Sequence, residues 1–168
     1  MGSVGNGSVP HVAGELFKMM SGINMVHVPY RGAAPALTDL LVGQVHVFFG
    51  SPPSTIEYIR AGRLRALAIT TAMRSAALPG LPALAEFVPG YETSFWAGIG
   101  APKNTPAEVV DTLNKEINAG LATPTIKAHL ADLGGAEMPM TPSAFGKFIT
   151  DETEKWGKVV KFAGIKVE

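Results

Sequence analysis

Apolar and polar positions in the first half of the chain alternate between short runs and helical spacings. From His11 to Met20, the apolar Val12, Leu16, Met19 and Met20 recur at helical spacing and predict a helix. Met25-Val26-His27-Val28 predicts a strand. Pro35 to Val42 predicts a short helix stopped by Gly43. Val45 to Phe49 predicts a strand, Pro53 to Ala61 a helix closed by Gly62, and Leu64 to Thr71 a further strand. Strands separated by helices in this rhythm predict βαβ units, a parallel sheet and an α/β fold.

Residues 75–94 are rich in Pro and Gly and read as a linker or wrapped connection, with one helical turn at Ala83–Phe87. Ser94 to Ala101 reads as another strand. Beyond it the pattern is helical. Thr105-Pro106-Ala107-Glu108 has the form of a capping box with Pro at the first helical position. Val109, Val110, Leu113, Ile117 and Leu121 give that helix a stripe expected to be buried. Thr123-Pro124 starts a helix expected to end at Gly134-Gly135. Thr141-Pro142 starts a third, whose core face is Phe145, Phe148, Ile149, Trp156, Val159 and Val160. The chain opens in a glycine-rich turn leading into a helix. In a parallel α/β sheet such a turn follows a strand, and the pattern shows none before it, so the sequence reads as part of a larger protein.

Composition narrows the function classes. The chain has 168 residues, 46% apolar and 17% charged, which suffices for a core. With 14 basic and 14 acidic residues the formal net charge is zero, which argues against nucleic-acid binding. All five Arg precede residue 100 and eight of the nine Lys follow it, hinting at two regions with different roles. With no Cys there are no disulfides, thiolate metal sites or Cys nucleophiles. There is no apolar run of about 18 residues, and Met1 to Gly7 does not read as a signal peptide. The four His (11, 27, 46, 129) lack metal-ligand spacing, and no catalytic constellation is evident, so no metal, cofactor or catalytic residue is expected.

Three strand-to-helix loops carry the candidate chemistry. Gly5-Asn6-Gly7-Ser8 precedes the first helix. Its glycines permit close backbone approach, Ser8 is placed to cap, and the first amides of the helix suit an anion. The alternative is an ordinary capped N-terminus. No Gly-Lys-Ser/Thr follows, so this is not a P-loop. His11 lies one turn into that helix, where it can face the same site. Tyr30-Arg31-Gly32-Ala33-Ala34 forms the second loop, where Arg31 can pair with a carboxylate or simply be a surface residue. Gly50-Ser51 begins the third, where Ser51 and Ser54 either contact ligand or cap the helix. Loops of this kind converge on one sheet edge. Tyr91, Phe95 and Trp96 line a cleft or pack in the core.

Several segments are similar to one family. GNGS-x-x-H-x-A-G-E-L-F, VPYRG-x-x-PALTDLL-x-GQV, YIRAG-x-LRALA-x-TT, GYE-x-S-x-W-x-GIGAPKNTPAEVVD-x-LNKEI and DETEKWGKVVKFAGIK resemble the Bug family. These are extracytoplasmic solute-binding receptors of tripartite tricarboxylate transporters, and the resemblance covers essentially the whole chain. It implies a periplasmic-binding-protein type II-like architecture of two α/β domains closing on a small carboxylate. Residues 3–90 would form the second, ligand-binding domain. Residues 91–168 would be the crossover and C-terminal helices of a first domain whose N-terminal part, with its signal peptide, is absent. The implied partners are a small carboxylate, membrane transporter subunits and, for the fragment, another copy of itself, because sheet partners would be missing. The implied location is the periplasm, and the implied mechanism is binding rather than turnover. This chain has Gly50-Ser51 where the family often carries an acidic residue after the third strand. Rival readings are a truncated, dimerising remnant with little ligand binding, an effector domain of the same fold as in LysR-type regulators, and an enzyme.

Overall fold

The computed structural model describes residues 1–74, 78, 80–132 and 135–166. In chain order these form β1 (Gly2–Ser3), α1 (Val9–Ser21), β2 (Val28–Pro29), α2 (Ala33–Leu41), α3 (Pro52–Arg60), a 3-10 turn (Leu84–Glu86), α4 (Ala107–Leu121), α5 (Pro124–Asp132) and α6 (Pro142–Ala163). They fall into two compact units, residues 1–95 with 156–168, and residues 96–155.

In the first unit β1 pairs in parallel with β2, Gly2 opposite Val28 and Ser3 opposite Pro29. Gly2 also bridges Phe48 in parallel. Successive peptide groups of a strand point to opposite sides. The Met1 and Ser3 carbonyls accept from the Val28 and Tyr30 amides, whereas the Gly2 amide donates to Val47 O at 2.9 Å. Met1–Ser3 therefore lies between the other two segments. The glycine-rich turn does follow a strand, contrary to the sequence expectation. That strand is two residues long, too short to show a period.

The other predicted strands shrink. Met25–Val28 becomes Val28–Pro29, Val45–Phe49 becomes the single bridge at Phe48, and Leu64–Thr71 becomes a bridge between Ile69 and Ala83. Ser94–Ala101 has no ladder partner among the described residues. β-propensity becomes a strand only where a second backbone lies alongside, and these segments meet one over too short a stretch.

The helices appear where the pattern put them, with shifted ends. The turn at Ala83–Phe87 is the 3-10 turn. α4 begins at Ala107 after Pro106, and the capping box does not form: Thr105 Oγ1 donates back to Pro102 O at 2.8 Å. Thr141 Oγ1 does cap α6, accepting the Ala144 amide at 3.2 Å. Gly134, expected in the stop of α5, lies outside the described residues.

Val12, Leu16, Tyr91 and Val159 form the core of the first unit, with Phe17, Phe49, Leu84, Val88, Trp156 and Ile165 packed on it. Tyr91 is completely buried, and its hydroxyl donates to Ala13 O at 3.0 Å across 78 residues of sequence. Met19 and Met20 stay partly exposed, because α1 turns them past the edge of that core. In the second unit Trp96 meets Phe145 and Phe148 edge-on, with ring centroids 5.8 and 5.1 Å apart. Asn114 and Asn118 both donate to Met140 O. The α4 stripe is not buried as expected: Val109 and Leu113 are exposed, and so is Ile149 of α6. Periodicity marks which face would bury, but burial requires a surface to cover it.

Tyr91→Phe should cost about 1 kcal/mol, the worth of one buried hydrogen bond. Tyr91→Ala should cost about 3–5 kcal/mol through the cavity it leaves. Urea denaturation of the two variants checks both values.

Candidate functional site

Three parallel segments run side by side in the first unit, and each feeds a helix from its carboxyl end. β1 leads through Gly5–Ser8 to α1, β2 through Tyr30–Gly32 to α2, and Phe48 through Gly50-Ser51 to α3. Parallel pairing places all three exits on the same edge. The twelve residues singled out in the sequence thus lie on or directly after three adjacent loops.

The first loop is held by its own polar groups. Ser3 Oγ accepts the Gly5 amide at 3.2 Å and lies 2.6 Å from His27 Nε2. Ser8 Oγ donates to Gly5 O at 2.6 Å rather than capping the helix amides. The Gly7 amide donates to His11 Nδ1 at 3.0 Å, and the Ser8 amide to Gly5 O. The Gly7 and Ser8 amides are therefore engaged within the loop. Gly5 and Gly7 have φ of 138° and 70°, so the shape depends on glycine. Asn6 is exposed at the tip.

His11 is buried, and its ring stacks on His27 at 3.6 Å, nearly parallel. His11 Nε2 lies 3.7 Å from the buried carboxylate of Glu15, which also receives Lys18 Nζ at 2.9 Å. Beside this cluster is a polar cavity of about 370 Å³, lined by Asn6, His11, Glu15, Lys18, His27 and Lys166, among others. Burial lowers the pKa of both imidazoles. For His27, the neighbouring His11 adds to the effect and takes it to about 4.

In the second loop Tyr30 is fixed at both ends. Its amide donates to Ser3 O and its hydroxyl to Asp39 Oδ2 at 2.7 Å. That bond to Asp39 raises the Tyr30 pKa. Arg31 is exposed. Gly32 caps α2 at φ 111°, ψ 179°, a conformation essentially closed to other residues. Ala33 and Ala34 are the first two helical residues, whose amides have no acceptor inside a helix. The start of α3 differs, because Pro52 and Pro53 carry no N–H. What this loop offers is the exposed Ser51 hydroxyl, 3.2 Å from Ser54 Oγ, and neither serine caps the helix amides. A side chain at Gly50 would collide with Phe48 and Thr55 at 2.7 Å.

Sequence reasoning missed Ser3, Glu15 and His27 as parts of this arrangement. Ser3 and His27 are 24 residues apart and meet through strand pairing, which leaves no spacing signal. Glu15 sits at i+4 from His11, a readable helix-face pair.

Because both imidazoles are favoured neutral in the fold, stability should drop as pH falls from about 6.5, the ordinary histidine pKa, towards 4. Above that window their contribution is full. The loss should be on the order of 2 kcal/mol, below the full shift because His27 is partly exposed. Thermal melts from pH 8 to 4 check the window, and His27→Gln should flatten it.

The model of the tripartite tricarboxylate transporter family receptor matches residues 1–165. BugT of Bordetella pertussis is 36% identical over 163 residues, which cover 96% of this chain and 50% of BugT. A UPF0065 protein from the clcB-clcD intergenic region of Pseudomonas knackmussii is 34% identical over 158 residues, covering 93% of this chain and 94% of that protein. Rpa4515 of R. palustris, solved with adipate, superposes with a TM-score of 0.84 at 40% identity, covering 98% of this chain and 55% of Rpa4515. The chain spans about half the length of BugT and of Rpa4515. The α/β architecture is shared with a periplasmic transporter and with the periplasmic binding protein BugD, on which the chain superposes with TM-scores of 0.81 and 0.78. With three helix-opening loops on one edge of a parallel sheet and a family match across residues 1–165, the chain belongs to the tripartite tricarboxylate transporter receptor family.

Proposed function

We propose that this chain supplies one wall of a carboxylate-binding cleft in an extracytoplasmic solute-binding receptor, acting by binding rather than by turnover. The observation that carries this reading is the alignment of three helix-opening loops on one sheet edge. The Ala33 and Ala34 amides, with the Ser51 hydroxyl and the Asn6 side chain at the exposed tip of the first loop, hold one ligand carboxylate, and Arg31 is within the same loop set; the Ser8 hydroxyl gives its proton to Gly5 O and shapes the loop. The amide ends of α1 and α2 favour negative charge by roughly 0.3–1 kcal/mol each when exposed. The relative solved with adipate points to dicarboxylates as the ligand class. Residues 3–90 act as the second, ligand-binding domain, and residues 91–168 as the crossover and C-terminal helices of the first. The whole receptor works in the periplasm, where membrane transporter subunits read its closed form.

A second reading, a dimerising remnant, rests on exposed apolar surface. Phe95 and Ile99 are 75% and 72% exposed on an extended segment that has no ladder partner among the described residues. Another copy of the chain would cover such surface.

Calorimetric titration of this chain with adipate should give saturable heat, and Gly32→Ala should weaken it roughly tenfold by misplacing the Ala33 and Ala34 amides. Heat of dilution alone would remove the binding reading. Light scattering should then return twice the chain mass if the remnant reading holds, and the 17.6 kDa monomer if it does not.

A further inference from the structure

We propose that His27 and Ser3 are positioning residues for ligand capture, which together with a neutral His11 lock the Gly5–Ser8 loop in its binding shape. The proposal rests on the reading of that loop as part of the carboxylate site.

The lock follows from which groups can donate. A backbone amide only donates, so the Gly7 amide at 3.0 Å requires His11 Nδ1 to be bare. The ring proton of His11 is then on Nε2, facing Glu15 Oε1 at 3.7 Å. Ser3 Oγ holds the other half of the loop through Gly5, accepting its amide at 3.2 Å and lying 3.1 Å from its carbonyl oxygen, and His27 Nε2, 2.6 Å away, is the shorter of the contacts that anchor that hydroxyl. The two halves meet in the stacked imidazoles. Protonating His11 puts a donor opposite the Gly7 amide and removes the acceptor. Protonating both rings puts two cations 3.6 Å apart.

The charged groups around the pair deepen this preference. From α1 come Glu15 and Lys18, from just before β1 the Met1 amine (bonded to Val26 O at 2.7 Å), and from the C-terminal segment Lys166 across the cavity. The one carboxylate among them is already bonded to Lys18. A second positive charge on the rings therefore meets mainly cations.

The test uses two readouts on this chain, with His27→Phe and His27→Gln as variants and melting curves to confirm that both fold. The first is ligand-free hydrogen exchange of the Gly5 and Gly7 amides. Protection should be high at pH 7.5 and fall at pH 5. It should drop roughly tenfold in His27→Phe, which can stack but cannot bond Ser3, and largely return in His27→Gln. The second is adipate affinity, which should follow protection in both variants and across pH. Unchanged protection in His27→Phe, or equal loss in the two variants, overturns the proposal whether or not ligand binds. Protection that responds as expected in a chain that never binds adipate removes ligand capture, and with it the functional reading, while the loop lock stands.

Discussion

Gly2 donates its amide to Val47 O while the carbonyls on either side of it accept from Val28 and Tyr30. This two-sided pairing aligns three segments that are separated by whole helices in the sequence. Glycine suits the position, since a Cβ there would come within 3.3 Å of the Val45 side chain. With Gly2 fixed, the ends of the three segments share one edge, and the helices that follow open in the same direction. The site depends on this register, because a slipped pairing would carry the Gly5–Ser8 and Tyr30–Gly32 loops apart.

The same edge concentrates polar groups under partial burial. Ser3, His11 and Glu15 are buried, yet among the described residues no buried side-chain polar atom lacks a hydrogen-bond partner. An unpaired buried group costs about 1–3 kcal/mol, so loss of one partner would propagate to the next. The loop gains rigidity from this closure. Gly5 and Gly7 accept conformations that other residues resist, and the bonds to Ser3, Ser8 and His11 select one of them. A preformed loop needs less ordering when a ligand arrives, which is how a scaffold of this kind favours affinity.

Much of this was legible in the sequence, for a definite reason. Helical periodicity and glycine stops are local signals, so α1, α2, α3 and the three helices of the later region were readable to within a few residues. The loops were readable as well, because Arg31-Gly32 and Gly50-Ser51 stand between an apolar run and a helical pattern, and Gly5–Ser8 is a glycine-rich turn directly before one. Strand lengths were not, since a strand requires a partner, and among the described residues Leu64–Thr71 forms a bridge at Ile69 alone. Burial on α4 was not legible either: Val109 and Leu113 repeat at helical spacing yet are exposed. The Ser3–His27 contact and the stacked imidazoles arise from tertiary pairing, and nothing in the spacing of those residues announces them.

In the proposed function, one sheet edge holds a carboxylate through amides and side chains of separate loops. Amide chemical-shift mapping of this chain during an adipate titration tests it most directly. Saturable shifts concentrated at Asn6, Ala33, Ala34 and Ser51, with a common dissociation constant, are expected. Shifts spread over α4 to α6, or none that saturate, would contradict the proposed function.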